Sequence, residues 1–119
     1  MSIKIILADD HKIVRDGLRS LIEKEHDMEV IAEAEDGRTA VQLAIKLSPH
    51  MVLMDFAMPG LNGAAVAAEA RRRRPGLPVI LVTGYADTKA VERVVGTDAI
   101  LRKPFRVEEL ANSMRRALA

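Results

Sequence analysis

Short apolar runs alternate with longer stretches of helical period along the chain. Ile3 to Ala8, Glu29 to Ala34, Met51 to Met54, Val79 to Val82 and Ala99 to Leu101 have strand length. After the first run, Val14, Leu18, Leu21 and Ile22 recur at i, i+4, i+7 and i+8, which marks one helix face. Ala40, Leu43, Ala44 and Leu47 repeat at helical spacing until Pro49 stops the segment. Pro59-Gly60 and Asn62-Gly63 signal a turn before an Ala-rich helix that Pro75-Gly76 closes. Asp87 to Val95 is a short, weakly patterned helix. Val107, Leu110, Ala111, Met114 and Leu118 form the clearest amphipathic face. This alternation predicts five βα units, hence an α/β fold with a parallel sheet and right-handed crossovers.

Polar residues at the ends of the runs carry the chemistry. The first run leads into Asp9-Asp10, the third ends on Asp55, the fourth on Thr83, and the fifth leads to Lys103-Pro104. In a parallel sheet the carboxyl ends of the strands share one edge, where ligands bind. Carboxylates, a hydroxyl and an ammonium then meet at one place. Clustered Asp side chains suit Mg²⁺, which takes a few carboxylate oxygens together with water and phosphate oxygens. An Asp beside such an ion can act as a nucleophile toward phosphorus. Lys103 and Thr83 would contact the phosphoryl oxygens, a task that needs positioning and charge neutralisation above all. Taken singly, each residue is an ordinary turn or cap former; the constellation at four strand ends is what points to phosphoryl transfer.

Composition narrows the class. A chain of 119 residues makes one domain, 1–119, and 49% apolar with 29% charged residues is ordinary for a soluble globular protein. A net charge of +1 argues neither for nor against nucleic acid, but with three aromatics no basic stripe with interleaved aromatics is spread along a helix face. The run Arg71 to Arg74 covers all sides of a helix and reads as a solvated helix end. With no cysteine, disulfides and thiolate metal sites are excluded. No apolar stretch approaches the roughly 18 residues of a membrane span, and no signal pattern opens the chain, so a cytoplasmic location is expected. His11 reads as an exposed first-turn residue, since Mg²⁺ avoids imidazole. Met51 and Met54 read as core.

The motifs "ADDH", "LMDFAMPGLNG", "ILVTG" and "LRKPF" together resemble the receiver domain of bacterial two-component response regulators. The resemblance implies a flavodoxin-like (βα)5 three-layer sandwich with strand order 2-1-3-4-5. It implies that Asp55 accepts a phosphoryl group from a sensor histidine kinase, a phosphotransfer domain or a small donor such as acetyl phosphate. Asp10, Asp55 and the backbone carbonyl of Ala57 would ligate Mg²⁺, and Asp9 would act through a metal-bound water. Lys103 would contact the phosphoryl group, with a cis peptide bond to Pro104. Thr83 would be the switch, changing the face formed by segment 87–95, the last strand and the last helix. The expected product is a phosphorylation-activated signalling switch that phosphorylates and dephosphorylates itself, as a monomer or weak homodimer, without binding nucleic acid or membrane directly.

Departures from the family pattern sharpen this expectation. Ile100 stands where an aromatic rotor is usual, so the readout of Thr83 is muted or differently built. The interval from Thr83 to Lys103 is about two residues shorter than is typical of the family, the shortening falling in the segment 87–95. Residues up to about Gly63 are similar to receivers attached to helix-turn-helix output domains. From about Leu77 they resemble receivers of hybrid histidine kinases, as in a natural mosaic or an engineered chimera. Tyr85 and small Ala57 are candidates for controlling water access, and hence phosphate lifetime. A phosphatase of the haloacid-dehalogenase type is disfavoured, because the acid/base Asp it needs two residues after the nucleophile is here Ala57. A degenerate receiver that only binds partners would not keep all five site residues.

Overall fold

Near-continuous apolar runs become strands where a sheet is buried on both faces, since odd and even side chains then both need apolar surroundings. The computed structural model describes residues 2–55, 63–83, 100–102 and 107–118. Its strands are β1 (Ile3–Ala8), β2 (Met28–Ala34), β3 (Met51–Asp55), β4 (Val79–Thr83) and β5 (Ile100–Arg102). All neighbours pair in parallel, in the order β2-β1-β3-β4-β5. This is a flavodoxin-like order. Asp55 and Thr83 prove to be the last residues of their strands rather than the first residues beyond them. Likewise β2 starts at Met28 and β5 runs through Arg102, each one residue beyond the sequence expectation.

Side-chain alternation splits the apolar residues between two cores. Ile5, Leu7, Met51, Leu53, Ile80 and Val82 face one core. It is closed by Ile22 of α1 (Lys12–Glu23) and by Leu110, Ala111 and Met114 of α4 (Val107–Leu118). Ile6, Ala8, Val52, Met54, Val79 and Leu81 face the other. That core is closed by Ala40, Val41 and Ala44 of α2 (Gly37–Leu47) and by Ala70 of α3 (Gly63–Arg73). The described residues thus form helix, sheet and helix layers. The helix expected over Asp87–Val95 lies outside the described residues.

Local chemistry sets the helix ends. Asp36 caps α2 by accepting a 2.8 Å hydrogen bond from the Thr39 amide. Ser48 ends the same helix in the left-handed region, at φ 50°, and Pro49 prevents continuation. The basic end of α3 is only partly solvated, contrary to the sequence expectation. Arg72 and Arg73 grip Glu69 on the surface. Arg74 turns inward and donates to the carbonyls of Ala44 at 3.2 Å and Pro49 at 3.4 Å. It therefore adds a second donor to the Ala44 carbonyl, which already accepts from the Ser48 amide at 3.2 Å, and ties α3 to the end of α2.

Candidate metal centre

Strand register brings the acidic residues together. Ala8 of β1 lies opposite Met54 of β3, so the next residues, Asp9 and Asp55, come level at the carboxyl edge. Asp55 is opposite Val82, and Thr83 is opposite Arg102, the residue before Lys103. Atoms of Asp9, Asp10, His11 and Asp55 suited to a metal ion all lie within 4.8 Å of one another. Asp9 and Asp55 are buried, at 2% and 8% exposure.

Backbone geometry fixes the acidic pair. The Asp9 amide donates to the Ala34 carbonyl of β2 at 3.0 Å, and Asp9 Oδ1 accepts from the His11 amide at 2.8 Å. That second bond is an Asx-type turn, which lets the chain leave β1 and enter α1 within three residues. Arg15 Nη1 donates to the Asp9 carbonyl at 2.7 Å. Asp10 is half-buried, and its Oδ1 is shut off from solvent with no hydrogen-bond partner among the described residues. His11 Nδ1 approaches that oxygen to 3.0 Å, an ion pair when the imidazole is protonated, but not with hydrogen-bond geometry.

These donors fit a hard divalent cation. Carboxylate oxygens converge from two strand ends, and a buried carboxylate oxygen lacking a hydrogen-bond partner is costly unless a cation meets it. His11 is exposed, as the sequence suggested, yet its ring leans on both neighbouring carboxylates and so borders the centre. Thr83, whose backbone alone is described, ends β4 at the same edge. Ile100 opens β5, at the far end of that strand from Lys103. Ala57, Tyr85, Lys103 and Pro104 lie outside the described residues.

Arg15 and Glu33 were missed in the sequence. Arg15 falls at i, i+3, i+7 with Leu18 and Ile22, on the inward stripe of α1, and is 7% exposed. A charge on an apolar stripe is the signal that could have found it. Glu33 interrupts the apolar end of β2 and accepts from both Arg15 and Arg19.

Known proteins identify this arrangement. Residues 5–115 match the response regulator receiver domain, and the chain belongs to that family. The transcriptional regulatory protein LiaR of Bacillus subtilis is 37% identical over 117 residues, covering 97% of this chain and 56% of its own length. The chain therefore spans about half the length of the curated relatives it matches. Among solved structures, a LuxR-family two-component response regulator from Aurantimonas sp. superposes with a TM-score of 0.88 at 30% identity, covering 99% of this chain and 86% of that one. The response regulator domain of Thermotoga maritima CheB gives 0.85 at 28% identity, covering 99% and 97%. A receiver is a phosphorylation-activated signalling switch that phosphorylates and dephosphorylates itself, not a turnover enzyme on an external substrate. Among the described residues, no helix is long and apolar enough to cross a membrane.

Proposed function

We propose that residues 1–119 form one (βα)5 receiver domain in which Asp55 is the phosphoacceptor. The observation that carries this reading is the convergence of Asp9, Asp10 and Asp55, with a buried Asp10 oxygen that has no hydrogen-bond partner among the described residues. An Asp55 carboxylate oxygen attacks phosphorus in line. The phosphorus–nitrogen bond of a kinase or phosphotransfer-domain phosphohistidine breaks, and the departing imidazole nitrogen keeps the electron pair. With acetyl phosphate, the broken bond is phosphorus–oxygen and acetate leaves. In dephosphorylation, water attacks the same phosphorus and Asp55 leaves as carboxylate, releasing inorganic phosphate.

Asp10, Asp55 and the Ala57 carbonyl would hold Mg²⁺ directly, with Asp9 acting through a bound water. When bound, the ion neutralises charge on the phosphoryl oxygens. Thr83 donates its hydroxyl and Lys103 its ammonium to those oxygens, the Lys as a point charge. Tyr85 and Ala57 limit water access to the acyl phosphate. Thr83 passes the change toward Ile100, which has no ring to rotate, so the response of the partner-binding face is muted. The domain acts in the cytoplasm, as a monomer or weak homodimer, on a protein partner.

The test is incubation with acetyl phosphate and Mg²⁺, read by intact mass, with Asp55→Asn alongside. The wild-type chain should gain the mass of one phosphoryl group and the variant none. No adduct, or equal adducts on both, contradicts the assignment.

A further inference from the structure

Arg15 is a buried guanidinium that the phosphoryl chemistry does not use. Its side chain is 8% exposed, on a stripe of α1 that Leu18 and Ile22 otherwise fill with apolar surface. Burying such a charge is expensive unless every contact it makes is a good one. Its contacts are specific. Nη1 donates to the Asp9 carbonyl at 2.7 Å, Nε donates to Glu33 Oε1 at 3.0 Å, and Nη2 lies 3.7 Å from Glu35 Oε1.

The Asp9 carbonyl lies in the peptide plane that joins Asp9 to Asp10. Tilting that plane swings the Asp10 Cα and carries its carboxylate with it. The Asp9 amide is already held by Ala34 of β2, and the Asp9 side chain by the His11 amide. The carbonyl is the remaining handle, and Arg15 holds it from α1 while braced on Glu33 of β2. We infer that Arg15 is a positioning residue for the metal centre: through the Asp9 carbonyl it fixes the direction of the Asp10 carboxylate. This rests on the reading of Asp10 as a cation ligand.

A planar fork is needed because one side chain must meet a carbonyl and a carboxylate in fixed relative directions. Lysine supplies a single point charge and cannot reproduce both bonds. Partners that orient a metal ligand from behind typically set affinity by about 10- to 100-fold. Arg19 provides an internal comparison. It donates to the other oxygen of Glu33 at 2.7 Å and to Glu23 at 3.3 Å, so its bonds join the same surface network through glutamates and not through Asp9.

The experiment is an Mg²⁺ titration by calorimetry on the wild-type chain, Arg15→Lys, Glu33→Gln and Arg19→Ala. Unfolding midpoints and the amide resonances of Asp10 and His11 are recorded for each. Arg15→Lys should weaken Mg²⁺ binding about 10-fold or more while still folded at the titration temperature. Its Asp10 and His11 resonances should move before any metal is added. Glu33→Gln should show a smaller loss in the same direction, and Arg19→Ala should stay within about twofold of wild type. Unchanged affinity in Arg15→Lys, or an equal loss in Arg19→Ala, overturns the inference and leaves the metal reading standing. A wild-type chain that does not bind Mg²⁺ overturns that reading, and this inference with it.

Discussion

Replacing Asp10 by Asn should stabilise the metal-free chain while abolishing its response to Mg²⁺. Metal-binding atoms of Asp9, Asp10 and Asp55 lie within 4.8 Å of one another, with Asp9 almost fully buried and the Asp10 side chain 24% exposed. At that separation, two unit charges repel by about 3.5 kcal/mol at an effective dielectric of about 20, and by about 0.9 kcal/mol in bulk water. His11 Nδ1, 3.0 Å from Asp10 Oδ1, offsets part of this repulsion when protonated. A net gain of about 1–2 kcal/mol for the variant follows, or roughly 3–10 °C in melting temperature. The wild-type chain should gain about 2.7 kcal/mol from Mg²⁺ at about a hundred times its dissociation constant, and the variant almost nothing. The assay is urea and thermal unfolding of both chains, in chelator and in saturating Mg²⁺. The order of stability should invert between the two conditions. A variant less stable than wild type in chelator, or equally stabilised by Mg²⁺, would refute the reasoning.

Other outcomes follow from the fold. Ser48→Gly should raise stability by about 0.5–1 kcal/mol, because a side chain at φ 50° is strained and glycine is not; the urea midpoint should rise with an unchanged slope. Met114→Ala, at 0% exposure in the α1–α4 core, should lower stability by about 2–5 kcal/mol in the same assay. Acid should weaken the surface tethers in a defined direction. Hydrogen bonds from Arg72 and Arg73 hold Glu69 down to about 2, and Arg115 lowers Asp27. The Thr39 amide lowers Asp36. Each depressed carboxyl adds stability above its unfolded value and loses it as pH falls through the folded one. Unfolding midpoints should therefore decline from the ordinary carboxylate range toward about pH 2. Glu69→Gln should flatten part of that decline, and added salt should reduce the difference.

Most of the architecture was legible because burial on both faces of the sheet leaves a coarse signature. Runs such as Ile5 to Ala8 and Met51 to Met54 cannot sit elsewhere, and Asp36-Gly37 and Pro49 bracket α2 chemically. Asp9, Asp10 and Asp55 were legible for the same reason: a carboxylate ending an apolar run has to emerge at the sheet edge. What the pattern could not supply was direction. Nothing in the spacing says that Arg15 turns inward to the Asp9 carbonyl, or that His11 leans back over both carboxylates. Likewise Arg74 reads as the end of a basic run, although it reaches across to α2. These contacts depend on how helices rotate against the sheet, which the apolar period fixes only to within a side chain. The matches to LiaR and to the Aurantimonas regulator settle the family, and the roles proposed for Asp55, Thr83 and Lys103 follow from their chemistry at the strand ends.

The most direct measurement locates the phosphoryl group. The chain is incubated with acetyl phosphate, with Mg²⁺ or with chelator, then cleaved and sequenced by fragment mass spectrometry. The expected result is a single modified peptide with the phosphoryl group on Asp55, formed only when Mg²⁺ is present. A phosphoryl group on Asp9, Asp10 or His11, or one that forms equally well in chelator, would contradict the assignment of Asp55 as the metal-assisted acceptor.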